Sequence, residues 1–211
     1  MQITVSPNHS QLFSSNEVIL PHQTWLDYEN LLNIRQGQTL PKIYFNAITQ
    51  EIRLMSPLPG HGNRTDTLRD LIKLLLRRQG TDWHCFDPIT LKKFEQAGLE
   101  PDTCFYITNR QAILGKEKLD LAIDPPPDLA VEMDLTSSTK PEDYQPFAIP
   151  ELWIYRQGEL LIYLWDNQTY QESQTSRIFP DIDVKNLLPQ YVELAWTKGS
   201  SIALRQFEQD L

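Results

Sequence analysis

The chain has 211 residues, a length suited to one domain with a substantial core. Hydrophobic residues make up 40% and charged residues 22%, an ordinary globular balance, and no apolar stretch approaches the ~20 residues that a membrane helix needs. A net charge of −9 argues against holding nucleic acid by bulk electrostatics, yet a nuclease stays open, because acids that collect a metal also count towards it.

The N-terminus, MQITVSPNHSQLFSS, lacks a basic region followed by an apolar core and does not read as a signal peptide. Residues 1–20 are expected to form a flexible lead-in to a single domain over 21–211. Cys85 and Cys104 are too few for a disulfide framework and lack zinc-ligand spacing, so a reducing bacterial cytoplasm is the default compartment.

In EVILPHQTWLDYENLLNI a short apolar piece precedes a helix with Trp25, Tyr28, Leu31 and Leu32 on one stripe. A hairpin follows, with Ile43-Tyr44-Phe45 outward and Ile52 and Leu54 on the return, stopped by Pro57 and Pro59. The clearest helix is HGNRTDTLRDLIKLLLRRQG: Leu68, Leu71, Ile72 and Leu75 fall at i, i+3, i+4 and i+7, and Gly80 sits at the cap. CFYI (104–107) and LDLAI (119–123) read as strands, the second ending at Pro125-Pro126-Pro127.

PPDLAVEMDL is another strand, and Lys140-Pro141-Glu142-Asp143 starts a helix kept short by Pro146 and Pro150. LWIYRQGELLIYLW is a hairpin around Arg156-Gln157-Gly158, and SSIALRQFEQDL a final helix with a serine cap. Helices mixed with hairpins point to an α/β fold with a mixed central sheet.

Successive strand side chains face opposite ways, so Asp128, Ala130, Glu132 and Asp134 share one face and Leu129, Val131, Met133 and Leu135 the other. Two carboxylates ~4 Å apart repel by about 4 kcal/mol at an effective dielectric of 20. Solvation, protonation of one acid or a divalent cation between them relieves this. Oxygen-only donors favour Mg²⁺ or Mn²⁺, and a solvent-facing acidic strand is the alternative.

Asp102, in Glu100-Pro101-Asp102, reads alone as a turn residue, and Asp120 and Asp124 as an outer strand face. Arg69, Lys73 and Arg77 form a stripe better read as a solvated face than as a phosphate track. His9, His22, His61 and His84 are scattered, with His61 just ahead of the long helix. No HExxH, GxSxG, Walker loop or GxGxxG occurs.

Four stretches in order, EIRLMSPLPGHG, GLEPDTCFYI, LDLAIDPPPDLAVEMDLTSST and YQPFAIPELWIY, make the chain resemble the Uma-type restriction endonuclease family, long a domain of unknown function within the PD-(D/E)XK nuclease-like superfamily. The resemblance runs from about Trp25 to the C-terminus. It implies a restriction-endonuclease-like core, a mixed central β-sheet flanked by helices with added hairpins, and metal-dependent hydrolysis of DNA phosphodiester bonds. Asp102 matches the PD-like acid, and Asp128 and Glu132 match the acids of the next motif strand. Asp102 and Glu132 would then hold Mg²⁺ or Mn²⁺ with Asp128 nearby, and His61 would support them.

The superfamily lysine two residues after the Glu is Asp134 here, and Lys140 is the nearest substitute. The family also has Glu where this chain has Gly60. These departures motivate a rival reading, a catalytically degraded module that binds nucleic acid or a protein partner. Glu132→Ala is expected to abolish cleavage while leaving folding intact or improved, and Trp153, Tyr155, Tyr163 and Trp165, if exposed, would support a homodimer.

Overall fold

The computed structural model describes residues 17–135 and 138–211, so residues 1–16 of the expected lead-in lie outside the described residues. The rest of that stretch is ordered differently from expectation: Glu17–Leu20 form strand β1, antiparallel to β3 (Glu51–Met55). Between them, α1 (Trp25–Arg35) opens on a capping box, in which the Thr24 hydroxyl accepts from the Asp27 amide and the Asp27 carboxylate accepts from the Thr24 amide. Strand β2 (Lys42–Asn46) pairs with β3 as the expected hairpin. Short strands β5 (Leu91–Lys93) and β6 (Ala97–Leu99) complete an antiparallel sheet in the order β1-β3-β2-β6-β5.

The second sheet runs β11-β10-β9-β8-β7-β4. Its strands are β4 (His84–Phe86), β7 (Thr103–Tyr106), β8 (Leu129–Asp134), β9 (Glu151–Arg156), β10 (Glu159–Asp166) and β11 (Thr169–Ser173). Only β8 and β9 are parallel, joined through a 3₁₀ helix (Pro141–Phe147); the other pairs are antiparallel, so the sheet is mixed as expected. The β9–β10 turn is tight because Gln157 and Gly158 both take positive φ, the geometry of two-residue hairpins.

Helix α2 (Pro59–Arg78) starts with Pro at its first turn, buries Leu68, Leu71, Ile72 and Leu75, and ends against Gly80 at φ +68°. With α4 (Val184–Lys198) and α5 (Ser200–Asp210) it covers the back of the second sheet, where Leu129, Val131, Met133, Trp153 and Tyr155 form the main core. The front of that sheet, through Ala130, Leu152 and Ile154, packs against Tyr44, Met55, Leu91 and Leu99 of the first sheet. Tyr28 of α1 closes the outer side of the first sheet with Ile43, Phe45 and Ile52.

Several expectations are corrected. LDLAI is a turn, where the Asp124 carboxylate accepts from the Asp120 amide and pairs with Lys116. The last helix is capped at Gly199 and has no serine cap; Ser200 Oγ instead lies 3.2 Å from Asn63 Nδ2 and 3.3 Å from Thr67 Oγ1, tying α5 to α2. Helix α4 and a one-turn helix α3 (Arg110–Ile113) were not anticipated. Trp153 and Tyr155 are fully buried and Tyr163 and Trp165 pack on the front core, which removes the observation behind a homodimer.

Candidate active site

Strands β7 and β9 flank the edges of β8, the helices and the first sheet cover its two faces, and all six of its residues are buried. Glu132 is 1% and Asp102 3% exposed, so the solvated acidic face is overturned. Thr103 pairs with Val131, and one step further Asp102 comes opposite Glu132. The Met133 amide donates to Asp102 Oδ2 at 2.8 Å and fixes that carboxylate.

Lys42 enters from the first strand residue of β2 in the opposing sheet. Its Nζ donates to Asp102 Oδ1 at 2.8 Å and to Glu132 Oε2 at 3.3 Å, with the lysine side chain 1% exposed. The ammonium also lies 5.2 Å from the centre of the Tyr44 ring. On the remaining Glu132 oxygen, Oε1, the Tyr144 hydroxyl donates, and the Tyr44 hydroxyl lies 3.4 Å away. Nε2 of His61, at the start of α2, approaches Asp102 Oδ2 to 3.1 Å but is too poorly aligned to donate a good hydrogen bond.

Burial divides the two acids. Burial alone raises the Asp102 carboxyl, but the charge of Lys42, with the approach of His61 and the Lys42 hydrogen bond, outweighs it and holds the group well below the usual carboxylate range. Burial pushes Glu132 up to about 8; Lys42 opposes the rise, and the neighbouring Asp102 charge adds to it. Burial lowers the Lys42 ammonium, yet Glu132, Tyr44 and Asp102 carry it well above its usual value. Within this trio Lys42 favours the ionised form of Asp102, while burial favours the protonated form of Glu132.

The other expected residues separate. Asp128 lies four residues before Glu132, about 13 Å along a strand that rises ~3.3 Å per residue. Its Oδ2 accepts from the amides of Ile107 (2.7 Å) and Asn109 (3.2 Å), a backbone tie between β7 and β8. Lys140 is exposed at the start of the 3₁₀ helix and has no ion pair among the described residues. Asp134 accepts from Arg156 Nη2 at 2.6 Å and from the Thr139 amide and hydroxyl.

The Arg69, Lys73 and Arg77 stripe is paired with Asp66, Asp87, Asp70 and Glu208, in keeping with a solvated face. Glu100 is buried against Arg35 and accepts from the Ile43 amide, anchoring the strand that carries Lys42.

Sequence reasoning missed Lys42, Tyr44 and Tyr144. The available signal was Lys42 itself, a cation opening the otherwise apolar run Ile43-Tyr44-Phe45.

Among the described residues no three His, Cys, Asp or Glu side chains are grouped to hold a metal ion. Two carboxylates nevertheless converge on one cation, and Mg²⁺ is commonly held by one or two carboxylates with water and substrate oxygens completing the shell. The donor set fits a hard divalent ion and not Zn²⁺, which takes nitrogen or sulfur ligands in closed tetrahedra.

Two sheets, one of mixed strand order, with flanking helices and with Asp102 just ahead of β7 facing Glu132 of β8, define an α/β protein. A family model described as Uma2, "putative restriction endonuclease", matches residues 25–197, and the chain belongs to that family. Among solved structures, the crystal structure of "a putative nuclease belonging to DUF820" from Anabaena variabilis is similar at TM-score 0.52 and 14% identity, covering 76% of this chain and 96% of the other. No curated protein matches. Among the described residues no helix is long and apolar enough to cross a membrane.

Proposed function

We propose that this chain is an endonuclease that hydrolyses DNA phosphodiester bonds with Mg²⁺ or Mn²⁺, held by Asp102 and Glu132. The observation that carries this reading is the convergence of these two acids, one just ahead of β7 and one on β8, on a single cation. The Uma2 membership and the nuclease-like fold support it. When bound, the metal supplies a Lewis acid for the phosphate and lowers the pKa of a water.

The chain's own residues set the charge and its timing. Asp102 stays ionised and is fixed by the Met133 amide. Burial favours the protonated form of Glu132, only the ionised form of which acts as a full ligand, and the Tyr144 hydroxyl orients Oε1. His61 sits beside Asp102 as a supporting group on its Oδ2 side.

The test is cleavage of supercoiled and linear DNA by the purified protein with Mg²⁺ or Mn²⁺, beside Asp102→Asn and Glu132→Gln. Metal-dependent cleavage lost in both variants supports the reading. Cleavage unchanged in either variant removes that acid from the site. A second reading, a nuclease-fold module that binds nucleic acid or protein without cutting, is favoured by the burial of both acids. It predicts no cleavage with either metal, and partner binding that survives Asp102→Asn.

A further inference from the structure

The geometry points to Lys42 as a built-in counter-cation that occupies the divalent-metal position, so that metal binds only by displacing it from Asp102 and Glu132. This rests on the metal-binding reading of the site.

The ammonium bridges one oxygen of each acid, Asp102 Oδ1 and Glu132 Oε2. The other two oxygens already face protein groups: Asp102 Oδ2 accepts from the Met133 amide, and Glu132 Oε1 accepts from Tyr144. An ion on the same acids would stand against the ammonium in a site screened from water, where like charges repel most strongly. Lys42 and the metal are therefore alternatives.

Apart from His61, which approaches Asp102 Oδ2 to 3.1 Å, no other basic side chain among the described residues serves this pair. Arg35 is committed to Glu100, Arg53 to Asp143 and Arg156 to Asp134. Lys42 reaches the acids from the opposite sheet, 60 and 90 residues away in sequence, so it also closes the two sheets over them. Displacing it would free the acids and loosen that closure in one event, linking metal arrival to access.

The experiment is calorimetric titration of MnCl₂ into wild-type protein, Lys42→Met and Lys42→Gln, with Asp102→Asn added to each lysine variant to locate the site. Thermal melting establishes which variants are folded, and the glutamine variant serves if the methionine variant is not. The expected result is Mn²⁺ binding at least tenfold tighter in a folded Lys42 variant than in the wild type, the gain disappearing with Asp102→Asn. In wild-type protein, acylation of the Lys42 amine, read by mass spectrometry, should be slow without Mn²⁺ and faster at saturating Mn²⁺.

Wild-type binding that depends on Asp102 but is no weaker than in the Lys42 variants would overturn the competition and leave the metal reading standing. Saturation by Mn²⁺ with Lys42 still protected from acylation would do the same. Absence of Mn²⁺ binding in wild type and both lysine variants would overturn the two together.

Discussion

Lys42 Nζ stands 2.8 Å from Asp102 Oδ1 across the gap between the two sheets, and neither side chain is more than 3% exposed. A buried pair of this kind contributes little net stability against an apolar replacement, but breaking it strands a charge. Asp102→Ala is expected to cost about 3–5 kcal/mol in urea unfolding, and Lys42→Ala a similar amount. The paired change Lys42→Met with Asp102→Leu should cost clearly less than the sum of the single losses. Additive costs would mean that the two residues stabilise the fold independently.

The same partners revise the expectation for Glu132→Ala. Glu132 accepts from Tyr144 and Lys42, so truncation opens a cavity, leaves the Tyr144 hydroxyl without its acceptor and leaves Lys42 with Asp102 alone. Destabilisation of about 2–5 kcal/mol is expected in urea unfolding in place of intact or improved folding. Glu132→Gln keeps the side-chain volume and an acceptor oxygen for Lys42, while its NH₂ can donate to the Tyr144 oxygen in place of accepting from it, so it should stay closer to wild type than Glu132→Ala near pH 7.

Glu132 also gives the fold a distinct pH dependence. Its carboxyl rises from 4.5 unfolded to about 8 folded, driven by burial, so between those values the unfolded chain releases a proton that the folded protein keeps. Stability therefore falls as pH rises through that window, by up to about 5 kcal/mol, and levels off above it. Asp102 has the opposite sign: its stabilisation is present above 3.8 and is lost as pH falls below that value. In metal-free buffer with chelator, the melting temperature should decline from about pH 5 to pH 8, and Glu132→Gln should flatten the decline. A wild-type curve that stays flat over this range would show a Glu132 already ionised in the folded protein.

Much of this was legible in the chain, and the gaps have physical causes. Alternation along PPDLAVEMD correctly turned Glu132 away from the helix-packed back of the sheet, and the hairpins and α2 followed from their periodicity. Alternation assigns a face but not a height, which is why Asp128 shares the face of Glu132 and lies far along the strand. In LDLAI the same period arises from a turn closed by Asp124, a local bond that competes with strand pairing. Helix α4 buries Val184, Leu188, Tyr191 and Val192, a stripe interrupted in sequence by Pro189. The lysine that opens the Ile43-Tyr44-Phe45 run was visible but not its role, because its partners are far away in the chain and an isolated lysine at a strand end ordinarily faces water.

Gly98 on β6 supports Tyr28. A Cβ at this position would lie 2.2 Å from both Cζ and Oη of the Tyr28 ring, which is itself fully buried between α1 and the first sheet. The ring has no room to retreat among Ile43, Phe45 and Ile52. Gly98→Ala is therefore expected to destabilise by at least ~1–3 kcal/mol through overpacking. Chemical denaturation measures the loss, and Tyr28→Ala in the same background should recover part of it by vacating the space. A neutral Gly98→Ala would mean that the helix and sheet separate easily at this contact.

Asp128 and Lys140 separate a shared strand face from a shared site. Asp128 holds the Ile107 and Asn109 amides, so Asp128→Ala should lower stability by about 1–3 kcal/mol as those donors lose their acceptor. Its effect on metal-dependent cleavage should vanish once activity is referred to folded protein, because no cation or carboxylate of the Lys42 cluster depends on it. Lys140→Ala, at an exposed position, should change neither stability nor cleavage beyond about 0.5 kcal/mol equivalent. The informative readouts are activity per folded molecule and Mn²⁺ affinity, measured together on both variants. Loss of Mn²⁺ affinity in a folded Asp128→Ala protein would bring that acid into the metal site and require β8 to bend sharply. Loss of cleavage in Lys140→Ala at unchanged Mn²⁺ affinity would mean that this lysine acts on the DNA, since its side chain is already solvated and the Asp102–Glu132 charge is balanced from β2.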